Sequence, residues 1–528
     1  MHVQHLTTTN NPPLDSESQH ISTLLVAARR DDAHIQNELA ATRARERELV
    51  ERSTELQHAI HTLAGVLSPV RRFPPEILAE VFVLAADDDE NGPERIFGTT
   101  NARMPMALTR VCARWRMVAR TTPQLWATLR ISVCSSRLLA PQSIASLILY
   151  FTSLAGARGL SLDIELLSRV ITGAPLAVLW SCASRIRALR IAAPFSALAP
   201  LAGMPAGTFG ILEHLDLCID EQREGGFVAS IPAFHTAPLR YLKALSNARS
   251  DESALSRILS LRLRWELLRT VQLDFFAPES FGELWTGLAQ CEMLEKLGLS
   301  WRSLEFMEDF NDPEVPLCLF PELTDLDLKL ATADPRVPDL VLGHLAAPAL
   351  RSLRVRMDCP SIECLTVLLQ RSGNPALDSF HLEQSTVEPT ALCQFLHSIP
   401  SITTLGLRRI GRMDYPWLHE LEAADILPNL RILEMEVGRT GIELAEVLSL
   451  VETRRNLGLT QAKLLINQFA VARMGYGRLN ELRDQGLLEW KVVPYENLAE
   501  EAERFWIEMG EGRVIGEDFD DSDDDDGW

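Results

Sequence analysis

The spacing Leu-x-x-Leu-x-Leu, with conservative replacements, recurs along most of the chain and limits what it can fold into. Clear copies are Leu212-Leu215-Leu217, Leu268-Val271-Leu273, Leu294-Leu297-Leu299 and Leu323-Leu326-Leu328. Leu350-Leu353-Val355, Leu377-Phe380-Leu382, Ile402-Leu405-Leu407 and Leu430-Leu433-Met435 continue the series. Taking the middle residue as marker, the positions run 189, 215, 242, 271, 297, 326, 353, 380, 405 and 433, in steps of 25 to 29 residues. A chance scatter of leucines would not hold that step nine times in succession. Fainter copies stand at Trp126-Leu129-Ile131 before the series and Leu487-Trp490-Val492 after it.

Alternating leucines belong on one face of a strand. Between the copies lie stretches at helical spacing, such as Ile144–Leu154, Ile362–Gln370, Leu392–His397 and Leu444–Val451. Each unit is therefore strand then helix, and the crossover lays successive strands in parallel. One unit cannot bury its apolar face alone, so neighbours stack into an α/β solenoid whose stability is shared between adjacent repeats. Residues between the strand leucines face outward, on the expected concave surface. They include Glu213, His214, Asp216, Glu295, Lys296, Thr324, Asp325, Asp327, Arg351, Arg354 and Arg356. A mixed run of this kind on a solenoid is ordinarily a solvated face, and no target specificity follows from it.

The flanks differ from the repeats. Residues 1–17 are polar and read as disordered. Residues 18–67 contain no proline and are rich in Ala, Glu, Arg, Leu and Gln, all helix formers. Ile35, Leu49, Leu56 and Leu63 share a seven-residue spacing, with Leu39, Ile60 and Leu67 on a second one. Asp32, Thr42, Glu46 and Ser53 interrupt this seam, which suits either a weak coiled coil and a homodimer or a single charged helix packed on its neighbour. Beyond the last strand, residues 496–510 read as a helix and 511–528 as an acidic disordered tail, with Ser522 among its aspartates as an acid-directed kinase site or plain solvating residue.

Net charge is −21, and −13 without the eight acids between Glu517 and Asp526, so nothing offers phosphates the basic face they require. Nucleic acid is not an expected partner. No run reaches the roughly 20 apolar residues of a membrane span, and the polar residues 1–13 do not read as a secretory signal, so none is expected. The nine cysteines are scattered; Cys112, Cys218 and Cys393 fall in apolar periodic stretches, and Cys359 and Cys364 lack a second ligand pair at zinc spacing. Core thiols in a reducing compartment, cytoplasmic or nuclear, are the expectation. There is no P-loop, His-Glu-x-x-His or Gly-x-Ser-x-Gly. No enzyme, cofactor or metal site is expected, although His381 and Cys393 with a carboxylate in one pocket would argue otherwise.

Residues 68–131 have their own design. Pro74-Pro75-Glu76 opens a helix whose stripe is Ile77, Leu78, Val81, Phe82 and Ala85. After the loop around Asp87–Arg103 a second stripe runs through Leu108, Val111, Cys112, Trp115, Val118 and Ala119, then Thr121-Thr122-Pro123 stops it before Leu125-Trp126. Arg72-Phe73-Pro74-Pro75-Glu76-Ile77-Leu78-Ala79-Glu80-Val81-Phe82 resembles the first helix of an F-box. Val111-Cys112-Ala113-Arg114-Trp115 with Pro123-Gln124-Leu125-Trp126 resembles its closing half. The layout is similar to the F-box proteins with leucine-rich repeats of mushroom-forming fungi. Departures are Phe73 in place of leucine, the extra Pro74, and the long loop. The repeats also lack the asparagine that the leucine-rich pattern places three residues after its strand motif: Asp220, Arg302, Asp358 and Ser385 stand there. An irregular solenoid over residues 132–495 is the expectation.

The resemblance implies that the hairpin docks on the Skp-type adaptor, and through it on a cullin, of an SCF ubiquitin ligase. Adaptor-binding candidates are Pro74, Pro75, Ile77, Leu78, Val81, Phe82 and Trp115; the other reading of these residues is the module's own core. The solenoid would then select an unknown target protein. A rival reading is a leucine-rich scaffold or inhibitor whose helical module only caps the first repeat.

Overall fold

The computed structural model of the chain describes residues 12–86, 94–95, 104–133, 141–166, 174–193, 198–219, 231–246, 261–275, 281–303, 316–332, 336–357, 362–384, 388–408, 416–437, 444–467 and 476–493. The expected tail, the helix over 496–510, Ser522 and most of the acidic loop lie outside these residues. The chain divides into two compact units between Val81 and Phe82.

Helix α1 runs from Asp15 to Leu67. It starts three residues before the expected boundary because the Glu17 carboxylate accepts the Leu14 N–H at 2.9 Å, while Asp15 and Glu17 favour the positive end of the helix. Ser68-Pro69 ends it. None of its 53 residues is buried.

Helix α2, Pro75–Ala86, opens with Pro75 in its first turn, and the Leu78 N–H reaches back to the Pro74 carbonyl at 3.0 Å. The single helix expected from Leu108 to Ala119 is two, α3 (Met104–Val111) and α4 (Ala113–Arg120). Cys112 between them is extended, with φ −158° and ψ 171°, and its sulfur accepts the Trp115 N–H at 3.4 Å as an N-cap. Arg116 donates to the Thr109 carbonyl at 2.9 Å and so satisfies the end of α3. At the end of α4, Thr122 Oγ1 donates to Val118 O at 2.7 Å and the Trp126 indole to Ala119 O at 2.7 Å. Trp126 also stacks on Phe151, which ties this hairpin to the first long helix after it, Pro141–Leu154.

The remainder is a parallel sheet whose strand order follows the chain. Its strands are β1 Glu94–Arg95, β2 Thr128–Val133, β3 Leu160–Leu166, β4 Ile186–Ala193, β5 His214–Ile219, β6 Tyr241–Ser246, β7 Thr270–Phe275 and β8 Lys296–Ser303. They continue as β9 Asp325–Thr332, β10 Ser352–Met357, β11 Ser379–Gln384, β12 Thr404–Arg408, β13 Ile432–Val437, β14 Gln461–Asn467 and β15 Leu488–Val493. Every expected marker is a neighbour of the next: Leu189, Leu215, Leu242, Val271, Leu297, Leu326, Leu353, Phe380, Leu405 and Leu433 pair in one unbroken register. All ten are buried.

Three details correct the sequence reading of the repeats. β3 and β14 are additional repeats, with Leu162 and Ala462 in the marker column. In β15 the marker is Leu488, which pairs with Ala462, so the expected marker Trp490 stands two residues too far along the strand. The pattern Leu459-x-x-Ala462-x-Leu464 is followed by Asn467, fully buried, so one repeat does carry the asparagine.

Connections vary as the absent asparagines suggested. Helices Glu363–Arg371, Pro389–His397 and Leu444–Asn456 are regular. The described link between β5 and β6 is instead a 3₁₀ turn, Pro232–Phe234. Cys318–Leu319 and Leu345–Ala346 form a separate two-stranded parallel sheet. What stays constant is a rung at the strand entry. The N–H groups of Glu213, Arg240, Arg269, Glu295, Thr324, Arg351, Asp378, Thr403, Arg431 and Thr460 each donate, at 2.8 or 2.9 Å, to the corresponding carbonyl one repeat earlier. Hydroxyls of Thr324, Thr403 and Thr460 reinforce it at 3.0–3.1 Å.

Candidate functional site: the outward sheet face and the helical hairpin

Between the two buried positions of each strand stands one residue of the outward face. In register these are Arg130, Asp163, Arg190, Asp216, Lys243, Gln272, Gly298, Asp327, Arg354, His381, Gly406, Glu434, Lys463 and Glu489. The charges alternate strand by strand. Adjacent strands lie about 4.8 Å apart, so a charged side chain of this column stands beside one of opposite sign wherever two charged positions adjoin. Arg130 Nε is 2.6 Å from Asp163, and Arg190 lies between Asp163 and Asp216 at 4.0 and 3.7 Å. Outer columns repeat the habit, with Arg187–Glu213 at 2.9 Å, Arg269–Glu295 at 2.7 Å, Arg351–Asp378 at 3.5 Å and Arg356–Glu383 at 3.5 Å.

The alternation lapses at Gln272 and at two glycines, and both glycines are covered by the preceding strand. A Cβ at Gly298 would touch Gln272 Cγ at 3.3 Å, and one at Gly406 would collide with the His381 ring. Because position 406 has no side chain, His381 on β11 reaches across β12 to Glu434 on β13, with Nε2 at 3.3 Å from Oε2. Arg408 stands at 3.2 Å from the same oxygen and Lys463 at 3.4 Å from Oε1. Glu434 is only 5 % exposed. Burial alone would raise its carboxyl, but the His381 hydrogen bond and the charges of His381, Arg408 and Lys463 outweigh that and hold it at about 2. Burial pushes the His381 imidazole below its ordinary value against the pull of Glu434, with Arg354 and Arg408 adding to the lowering.

The residues expected to face outward take definite places. Asp216, Asp327 and Arg354 are in the central column, and Arg356 lies one column further along the strands. His214, Lys296 and Asp325 sit at the strand entry, while Glu213, Glu295, Thr324 and Arg351 form the rung before it. Sequence reading missed Arg130, Asp163, Arg190, Glu434 and Lys463. The signal was available: reading only the residue between the paired leucines of each copy gives the alternating column directly.

His381 does meet a carboxylate, but Cys393 is not part of that group. It is buried on helix Pro389–His397, where burial and a hydrogen bond with Glu420 push its thiol up to about 12. A thiol held that high is a poor nucleophile. Cys291, Cys318 and Cys364 are buried like Cys393, whereas Cys112 is exposed as the N-cap of α4 and Cys218 is half-buried on the outward face. These last two depart from the core positions expected of them. Cys359 lies outside the described residues. Among the described residues no group of three His, Cys, Asp or Glu is arranged to hold a metal ion, and no helix is long and apolar enough to cross a membrane.

On the hairpin the candidate residues divide into two sets. Leu78 is 0 % and Phe82 1 % exposed, and the Phe82 ring packs at 4.9 Å on half-buried Trp115. These belong to the chain's own core. Pro74 and Pro75 are exposed, and Ile77 and Val81 are 44 % and 42 % exposed. Leu84, which the sequence reading did not single out, is 73 % exposed and continues their stripe at i, i+4, i+7. No family model matches the chain, and no curated protein matches it.

Proposed function

We propose that the chain is the target-recognition subunit of an SCF-type ubiquitin ligase, of the leucine-rich F-box kind. Its hairpin docks on a Skp-type adaptor and through it on a cullin, and its outward sheet face receives a target protein. The observation that carries this reading is the second apolar stripe of α2. With Leu78 and Phe82 already in the core, Ile77, Val81 and Leu84 remain as large aliphatics in water on the same helix. A helix apolar on two sides is suited to a partner. Such a subunit works in the cytoplasm, the nucleus or both, and brings a target to the ligase by raising its effective concentration, with no chemistry of its own.

Co-purification tests it. The wild-type chain recovers the Skp-type adaptor, and Ile77→Asp with Val81→Asp abolishes recovery while the circular dichroism of the solenoid stays unchanged. Phe82→Asp is unsuitable, because it disrupts the core. One observation favours the rival scaffold or inhibitor: Trp126 ties the hairpin to the first repeat helix through a hydrogen bond and a ring stack, as a cap would be tied. That reading predicts no adaptor in the wild-type pull-down.

A further inference from the structure

Helix α1 is 53 residues long, about 80 Å, and buries none of them. A helix without tertiary packing is marginal in water, so its apolar stripe calls for a cover. We propose that α1 is a dimerisation element that pairs, parallel and in register, with α1 of a second copy of this chain, zipped most tightly from Leu49 to Leu67. The inference does not depend on the ligase reading, since α1 lies outside the hairpin.

The layers of that segment specify the occupant. Leu49, Leu56 and Leu63 fall on one heptad position, d, and Ser53, Ile60 and Leu67 on the other, a. Leucine at d with β-branched isoleucine at a is the pattern of two parallel strands, and a single polar residue at a fixes register. Flanking positions agree with this alignment. In a parallel pair each g residue faces the e residue five places on in the partner, which brings Arg45 to Val50, Arg52 to Gln57 and Ala59 to Ala64, with no like charges opposed. One turn further back, Glu38 meets Arg43 with opposite sign.

Upstream the seam continues through Ile35 and Leu39 but weakens. Thr42 and Glu46 replace large apolar residues there, leaving a shallow recess beside Leu49 and Ser53. Asp32 and Glu46 would each face their own copy, so the N-terminal half contributes less.

Nine large aliphatics per chain occupy seam positions, and eight of them are 43–71 % exposed. At about 60 Å² newly covered for each, two helices bury roughly 1,000 Å², just short of the ~1,200 Å² lower bound of standard interfaces. The dimer is therefore reversible and concentration-dependent.

Sedimentation equilibrium of the full chain over low to high micromolar concentration tests the proposal. The expected result is a mass rising towards twice 59.0 kDa, and Leu56→Asp with Leu63→Asp remaining at 59.0 kDa with the strand circular dichroism intact. Because α1 buries nothing in the single chain, that variant has no core to lose. Under a mild oxidant such as oxidised glutathione, which takes up the two electrons, a Leu63→Cys chain should form an intermolecular disulfide between its two copies of position 63, seen by peptide mapping. A wild type that stays at one chain mass throughout overturns the proposal, as does a double variant that still dimerises. A dimer lacking the 63–63 link overturns the parallel arrangement.

Discussion

Replacing Glu434 by glutamine keeps the shape of the side chain and removes only its charge. In the native chain the carboxyl titrates at about 2 instead of 4.5. At roughly 1.36 kcal/mol per pH unit, that difference corresponds to about 3 kcal/mol of stability at neutral pH. The sign follows from the depressed folded value. The contribution is complete above about pH 4.5, where the unfolded carboxyl is also ionised, and fades as pH falls towards 2. Glu434→Gln forfeits it at every pH and leaves Arg408 and Lys463 facing a neutral amide in a buried setting. Since a solenoid loses structure repeat by repeat, a single melting temperature would blur the effect. Hydrogen exchange resolved by peptide reads it directly. At pH 7 the variant should lose protection in β11–β14, with β4–β7 unchanged, and the difference from wild type should shrink as the pH is lowered towards 3. Equal protection at pH 7, or two curves that run parallel down to pH 3, would refute the electrostatic account of this cluster.

Other substitutions probe separate parts of the fold. Gly406→Ala should cost about 1–3 kcal/mol, because the new Cβ occupies the place of the His381 ring; in a His381→Ala background the same change should cost much less, as hydrogen exchange of β11–β13 in a double-mutant cycle would show. Arg454, buried on helix Leu444–Asn456, donates to the carbonyls of Leu421, Ala423, Ile426 and Leu427. Arg454→Met leaves those acceptors without their donor and should lower local stability by ~3 kcal/mol or more, with exchange rising first in residues 416–456. Alkylation of the native chain at pH 7 should modify exposed Cys112 before any thiol of Cys291, Cys318 or Cys393, which burial pushes up to about 12; early labelling of Cys318 would contradict its packing.

The sheet was readable because leucine spacing alone puts Leu189 through Leu433 in register. The two overlooked repeats show the limits of that signal. Before Leu162 the place of the first leucine is taken by Gly159, and in β14 the marker is Ala462, small enough to fit the column yet invisible to a search for large apolar residues. Trp490 misled in the opposite way: its bulk drew the marker two residues past Leu488, the true partner of Ala462. On the hairpin, the stripe of Ile77, Leu78, Val81 and Phe82 announced an amphipathic helix, but which of its residues are buried depends on tertiary packing, such as that of Phe82 on Trp115, and no local pattern carries that. The break at Cys112 was hidden for a similar reason, since apolar periodicity continues through a residue whose sulfur caps the next helix. The Glu434 cluster depended on an absent side chain. Gly406 looks like a weak point in a strand, and only the fold reveals it as the opening through which His381 reaches its partner.

The alternating column has an arithmetic consequence for how such an array can grow or shrink. Buried leucines repeat with every strand, so the core would accept the loss of any one unit. Charges on the outward face repeat with every second strand. Between Arg130 and Lys243, deleting the unit of Asp163, Arg190 or Asp216 alone would set two like charges side by side, whereas deleting two neighbouring units restores the order. At Gln272, Gly298 and Gly406 no such parity holds, because a neutral residue separates the signs. Units around those three positions can be exchanged one at a time, whereas a unit inside a charged block can leave only together with a neighbour.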